Sequence, residues 1–311
     1  MDKYVAVRMS LFAVFAVFAV FAVAIFGAFV VPATAAPTAP QTTYYVSLGD
    51  SYSVGFQPGI GATPGYAGYV AAHTGLTLKN FGCAGATTAS VLTTSGCPAW
   101  QPHTAGGVSY PTRTQIAAAA AFIAAHRRHI ALITVTIGAN DVDVCGRDSD
   151  PIACVRSVLP ELETNVTTLA TVLRAAAGPS VPLIGSTYPD LVLGAYVPPS
   201  FPQSAAWVNL AQLGATAFSS LVNPALARAY SSSGGSLVDI TKAMSAYVPL
   251  TRTEHTASYG TLPVAVASQC SLAWYCDNGD IHPKTSGYDL IGKLIVAKYR
   301  TMKGTSRSGN G

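Results

Sequence analysis

Charge is scarce in this chain. Across 311 residues, 18 Lys and Arg stand against 14 Asp and Glu, and part of the net +4 sits in the N-terminal segment. No basic cluster carries interleaved aromatics, so nucleic acid is not an expected partner. None of the six cysteines forms a C-x-x-C pair, which argues against a structural zinc.

The N-terminus is apolar by contrast. Lys3 and Arg8 precede a run from Ser10 to Val31 with FAV repeated, and then comes "PATAAPTAP". A charged start, an apolar stretch and a small-x-small site at Ala33-Thr34-Ala35 read as a secretory signal over residues 1–35, cleaved after Ala35. The run is also long enough to span a bilayer as an uncleaved anchor through residues 10–31, which stays the alternative. All six cysteines lie beyond it, and an even count in an exported chain implies disulfides. Local closure favours Cys83–Cys97, Cys145–Cys154 and Cys270–Cys276, because short loops cost least to close.

After a loose lead-in over 36–43, strands and helices alternate. "TTYYVSLGD", "LTLK", "IALITVTIG", "VPLIGSTYP" and "SLVDI" are β-branched or continuously apolar and read as strands. Helices are expected over "PGYAGYVAAHTG" and "TRTQIAAAAAFIAAHRRH", over 157–177, over 203–231 with a bend near Pro224, and from Pro283 to about Tyr299. Residues 87–112 read as irregular, 242–279 as a long insertion and 303–311 as a flexible tail. About five alternations predict a central parallel sheet with helices on both faces, a three-layer α/β/α sandwich in one domain over 44–302. Sites in such sheets form at the carboxyl ends of strands.

Those ends carry chemistry. Gly49-Asp50-Ser51 follows the first strand, Gly85 follows the second in "GCAGATT", Asn140 follows the third in "GAND", and His282 precedes the last helix in "DIHP". Each has an ordinary reading. Ser51 could cap a helix, Gly85 could turn with positive φ, Asn140 could serve a turn, and His282 could start a helix ahead of Pro283. Together they supply a hydroxyl, a backbone amide, a side-chain amide and an imidazole, the set that acyl transfer needs.

In these four blocks, "GDSYS", "NFGCAGATT", "IGAND" and "DIHPKTSGY", the chain resembles the SGNH hydrolases, also called GDSL lipases and esterases, from about Tyr44 to Tyr299. The resemblance implies a flavodoxin-like fold and a secreted esterase or lipase with no metal or cofactor. Ser51 would be the nucleophile and His282 the base. The N–H groups of Ser51 and Gly85, with the Asn140 side chain, would form the oxyanion hole. The cysteine arrangement resembles that of secreted actinobacterial members, which implies the same sequential pairing. Ser53 stands where a G-x-S-x-G elbow would need glycine, which argues against an ordinary α/β-hydrolase.

One departure matters. Many members place Asp three residues before the His, and here that position is Gly279. Asp280 lies two before His282 and is the favoured orienting group. Asp277, or a backbone carbonyl near Gly279, remains an alternative. Asp50 and Asp141 are expected to support their own turns, and His126 and His129 to serve a helix C-terminus. Tyr52, Tyr188 and residues 191–202 are candidates for lining an acyl pocket. The expected substrate is a small-molecule or lipid ester, met by a monomer, with transient contact to a lipid surface open. An acyltransferase or phospholipase on the same site, or a non-catalytic module, are the competing readings.

Overall fold

A computed structural model describes residues 42–190, 192–197 and 205–308. The proposed leader and its anchor alternative lie outside the described residues. Among the described residues, no helix is long and apolar enough to cross a membrane.

Nine strands are present among the described residues. β1 (Tyr44–Gly49), β4 (Thr77–Asn80), β5 (Ile130–Thr136), β6 (Leu183–Ser186) and β7 (Ser236–Val238) form one parallel sheet in the order β4-β1-β5-β6-β7. β2 (Phe56–Gln57) with β3 (Gly61–Ala62), and β8 (Thr253–Thr256) with β9 (Gly260–Pro263), make two short antiparallel hairpins. Helices 65–74 and 285–308 pack together, and helices 115–125, 151–177 and 223–232 form the other layer. This is the expected α/β/α sandwich. Continuously apolar strands follow from being covered on both sides.

The layers are held by stripes at helical spacing. Leu162, Val166, Leu169 and Leu173 are buried on helix 151–177, as are Tyr288, Ile291, Ile295 and Tyr299 on the last helix. Each such side chain is worth about 1.5–3 kcal/mol of burial. Helix 115–125 is capped by Thr114, whose Oγ1 accepts from Ala117 N–H, and ends at His126, whose Nδ1 meets the Phe122 carbonyl at 2.9 Å.

Several boundaries differ from expectation. The segment 87–112 contains helix Thr88–Thr93, opened by a reciprocal cap between Thr87 and Ser90. The helix expected from 157 starts at Pro151, with Asp150 accepting from Ala153 N–H, and it absorbs Pro160. The bend near Pro224 is a π turn over Phe218–Val222, where Asn223 N–H reaches back five residues to the Phe218 carbonyl. The insertion 242–279 is ordered as the β8–β9 hairpin and helices Val264–Leu272 and Tyr275–Asn278. Leu262, Val266 and Cys270 join Leu193 and Val197 in a second small core there. The last helix runs to Ser308, so residues 303–308, expected as a tail, are helical. Cys83–Cys97, Cys145–Cys154 and Cys270–Cys276 are the three disulfides.

Candidate active site

β1 ends in a glycine that nothing else could replace. Gly49 has φ +130°, and a Cβ there would stand 1.9 Å from the Thr136 carbonyl oxygen of neighbouring β5. Gln115 clamps this turn, accepting from Gly49 N–H at 2.9 Å and donating to its carbonyl at 3.0 Å. Asp50 then caps the short helix Ser51–Val54, its Oδ1 accepting from Tyr52 N–H. Asp50 thus supports the turn as expected. Ser51 is not the cap. It is the first helical residue, and its hydroxyl is left for another partner.

That partner is His282. Ser51 Oγ donates to His282 Nε2 at 2.8 Å, and His282 Nδ1–H donates to Asp280 Oδ1 at 2.7 Å. The same Oδ1 accepts the His282 backbone N–H at 2.9 Å. One carboxylate oxygen therefore holds both the ring and the peptide of the residue two positions on. Burial pushes the Asp280 carboxyl up, but the two hydrogen bonds from His282 and the electrostatic attraction between the pair outweigh it and keep Asp280 below its ordinary value.

Of the alternatives for this position, Asp277 is engaged elsewhere. Asp277 takes Lys284 Nζ at 2.7 Å and Tyr259 Oη at 2.7 Å. Burial raises its carboxyl, and those two partners bring it below the ordinary value. Gly279 ends helix 275–278 with φ +76°.

The other two oxyanion candidates follow the strands that flank β1. Gly85 follows β4, is exposed, and has φ +75° with open space where a Cβ would be, so its conformation, not crowding, calls for glycine. Asn140 is the second residue of the short helix Ala139–Val142 after β5, and its Nδ2 donates to the Ala86 carbonyl at 2.8 Å. Asp141 does more than support its own turn. It accepts from Thr88 N–H at 3.0 and 3.1 Å and from the Thr88 hydroxyl at 2.5 Å, bolting the Asn140 loop to the Gly85 loop.

One neighbour was not foreseen. The Phe56 ring lies against that of His282, centroids 4.7 Å apart and planes tilted by 59°. Tyr188 donates to Asp50 Oδ2. Burial drives the Asp50 carboxyl up to about 7, against the Tyr188 and Tyr52 hydrogen bonds. Tyr52 and Tyr188 are buried core residues.

Beside the site lies a cavity of about 340 Å³. Ala139 and Ile281, the neighbours of Asn140 and His282, line it together with Val142, Val155, Leu213 and Phe218. Val192, from the 191–202 segment, also lines it. Tyr52 and Tyr188 are not among its lining residues. Residues 191 and 198–202 lie outside the described ones.

A hydroxyl, an imidazole and a carboxylate in hydrogen-bond series, at the carboxyl edge of a parallel sheet, give the arrangement a serine hydrolase requires. The sequence pattern of the GDSL-like lipase/acylhydrolase family matches residues 47–290, and the chain belongs to that family. Among solved structures, the extracellular lipase of Streptomyces rimosus aligns over 83% of this chain and 99% of its own at 20% identity, with a TM-score of 0.50. At that identity the likeness is one of fold. Phospholipase A1 of Streptomyces albidoflavus NA297 covers 83% of this chain and 99% of its own at 19% identity and TM-score 0.46. The lipase/acylhydrolase of Enterococcus faecalis covers 83% and 96% at 17% and 0.44. No curated protein matches the chain.

Proposed function

We propose that this protein is a secreted serine esterase or lipase that hydrolyses carboxylic esters through an acyl-enzyme on Ser51. The observation that carries the reading is the unbroken chain from Ser51 Oγ through both nitrogens of His282 to Asp280, at 2.8 and 2.7 Å. Asp280 keeps the proton on Nδ1, which leaves the Nε2 lone pair facing the hydroxyl. As Ser51 Oγ attacks the ester carbon, its proton passes to Nε2, and Asp280 stabilises the imidazolium. The Ser51 and Gly85 N–H groups and the Asn140 amide receive the carbonyl oxygen's developing charge. Collapse expels the alcohol, which takes the proton from Nε2. Water, deprotonated by the same nitrogen, then releases the acid.

The mostly apolar cavity beside Asn140 and His282, which Asp143 and Arg147 also line, supports an acyl chain as the part of the substrate held there. Three disulfides support an oxidising compartment, reached with residues 1–35 as a cleaved leader. Ser51→Ala tests the reading with a p-nitrophenyl acyl ester and the mature protein. The expected loss in kcat is on the order of 10⁴- to 10⁶-fold. Wild-type turnover by the folded variant would refute the assignment.

A further inference from the structure

Ser51 and His282 are separated by 231 positions in the chain, yet they must meet within a few tenths of an ångström. Most anchors of the His282 loop come from the same stretch of chain. Asp280 accepts its N–H, and Trp274 N–H donates to its carbonyl at 3.0 Å. Such bonds shape the loop, but they travel with it.

Tyr52 is different. It directly follows Ser51, and its hydroxyl donates to the carbonyl of Ile281, the residue before His282, at 2.6 Å. Its ring is 2% exposed. It packs edge-on against Tyr188 at 4.9 Å and Tyr288 at 6.1 Å, and lies 5.8 Å from the His282 ring. Burial, with Asp50 and Asp280 nearby, holds the phenol well above its ordinary value, so the hydroxyl stays a donor at any working pH. A second link, Trp274 Nε1 to Gln57 Oε1 at 3.2 Å, joins the same two regions farther from the reacting atoms.

We propose that Tyr52 is a positioning residue that ties the base to the nucleophile's own helix, fixing the spacing of His282 Nε2 and Ser51 Oγ. The inference rests on Ser51 as nucleophile and His282 as base. Ile281 also forms part of the cavity wall. One hydroxyl thus sets the base and the acyl-binding wall against the same reference. Without it the Ile281 carbonyl loses that partner, and the remaining ties to this region, Trp274 and Thr285 to Gln57 and Tyr288 to Phe56, hold the chain on either side of His282 and not its immediate neighbour.

The test is Tyr52→Phe in the full chain, which removes one oxygen and keeps the ring. Each preparation is titrated for active sites with a phosphonate ester. Misplacement on the ångström scale costs on the order of 10²-fold, so kcat per titrated site should fall about 10- to 100-fold. With a C2 ester, whose short acyl group makes little use of the Ile281 wall, KM should stay within about twofold. The phosphonate should react more slowly by a similar factor, since it needs the same activated serine. Tyr230→Phe, which removes a core hydroxyl bonded to the Val135 carbonyl at 3.4 Å, should keep its kcat. An unchanged kcat per titrated site in Tyr52→Phe overturns the proposal. So does a loss that disappears on normalising to titrated sites, or an equal loss in Tyr230→Phe. An inactive Ser51→Ala beside a normal Tyr52→Phe sinks this inference alone, whereas an active Ser51→Ala removes the reading beneath it.

Discussion

Replacing Asp280 by Asn should be milder than replacing it by Ala, for a geometric reason. In a serine triad, an Asn at the acid position can turn its NH₂ toward the imidazole and trap the wrong tautomer, at a cost of about 10⁴ in kcat. Here the oxygen that meets the ring at 2.7 Å also accepts the His282 backbone N–H at 2.9 Å. An amide in this position is pinned oxygen-first, because a flip would set NH₂ against a peptide N–H. The tautomer survives and only the charge is lost. A hydrogen bond to a charged group is worth about 1.5–3 kcal/mol and a neutral one about 0.5–1.5, so the loss is about 1–2 kcal/mol. The Asp280 side chain is 26% exposed, and solvent screening favours the lower end. That converts to roughly 5- to 30-fold in kcat/KM. Asp280→Ala removes the acceptor for ring and peptide alike and should cost on the order of 10²-fold or more. Asp277→Asn, whose carboxylate faces Lys284 and Tyr259, should stay within about threefold. The assay is p-nitrophenyl ester hydrolysis at pH 8, normalised to titrated sites. An Asn variant as damaged as 10⁴-fold would refute the pinned-amide reasoning. An Ala variant near wild type would show that Asp280 orients nothing.

Two further changes probe the surroundings. Gly146 lines the cavity and has open space where a Cβ would stand, so Gly146→Trp narrows the cavity without a backbone clash. If it excludes two methylenes at about 0.8 kcal/mol each, the preference for a C12 over a C2 ester drops roughly 15-fold. An unchanged chain-length profile would dissociate this cavity from the acyl group. Burial drives the Asp190 carboxyl from 3.8 up to about 7, with Val192 N–H opposing, and its Oδ2 has no partner among the described residues. The folded state therefore holds the proton more tightly than the unfolded chain. The stability from this group is full below about pH 4, declines as pH rises toward 7, and stays low above, by an upper bound of about 4 kcal/mol. Asp190→Asn should accordingly raise Tm at pH 8 relative to wild type more than at pH 4.5, and parallel Tm–pH curves would contradict this.

The strand ends were legible because local chemistry wrote them. "GDS", Gly85, "GAND" and "DIHP" each stand where a β-branched run stops or a helix starts, and a parallel sheet collects such points along one edge. The orienting group was harder. D-x-H spacing leaves three acceptors open, and the turn that closes Asp280 onto its own loop is a backbone property that no composition reveals. Pro160 hid the start of helix 151–177, although Asp150-Pro151 is a proper helix opening. The Thr87–Ser90 cap was readable too, and the surrounding Thr, Ser and Gly masked it. Two-residue strands such as β2 and β3 carry no period at all. The Tyr52–Ile281 bond joins positions 229 apart, beyond the reach of any local pattern.

The strand order has a consequence for when activity arises. The first 142 residues already hold the serine and the other two oxyanion candidates, just beyond β1 and the β4 and β5 that flank it. The imidazole arrives almost last, on the segment that precedes helix 285–308. A chain made from its N-terminus thus carries a hydroxyl without a base until nearly all of it has emerged, and the final helix must dock against helix 65–74 to bring the two together. Under the proposed function, an enzyme able to attack lipid esters stays inert throughout its synthesis, and its first turnover reports that the whole domain has closed.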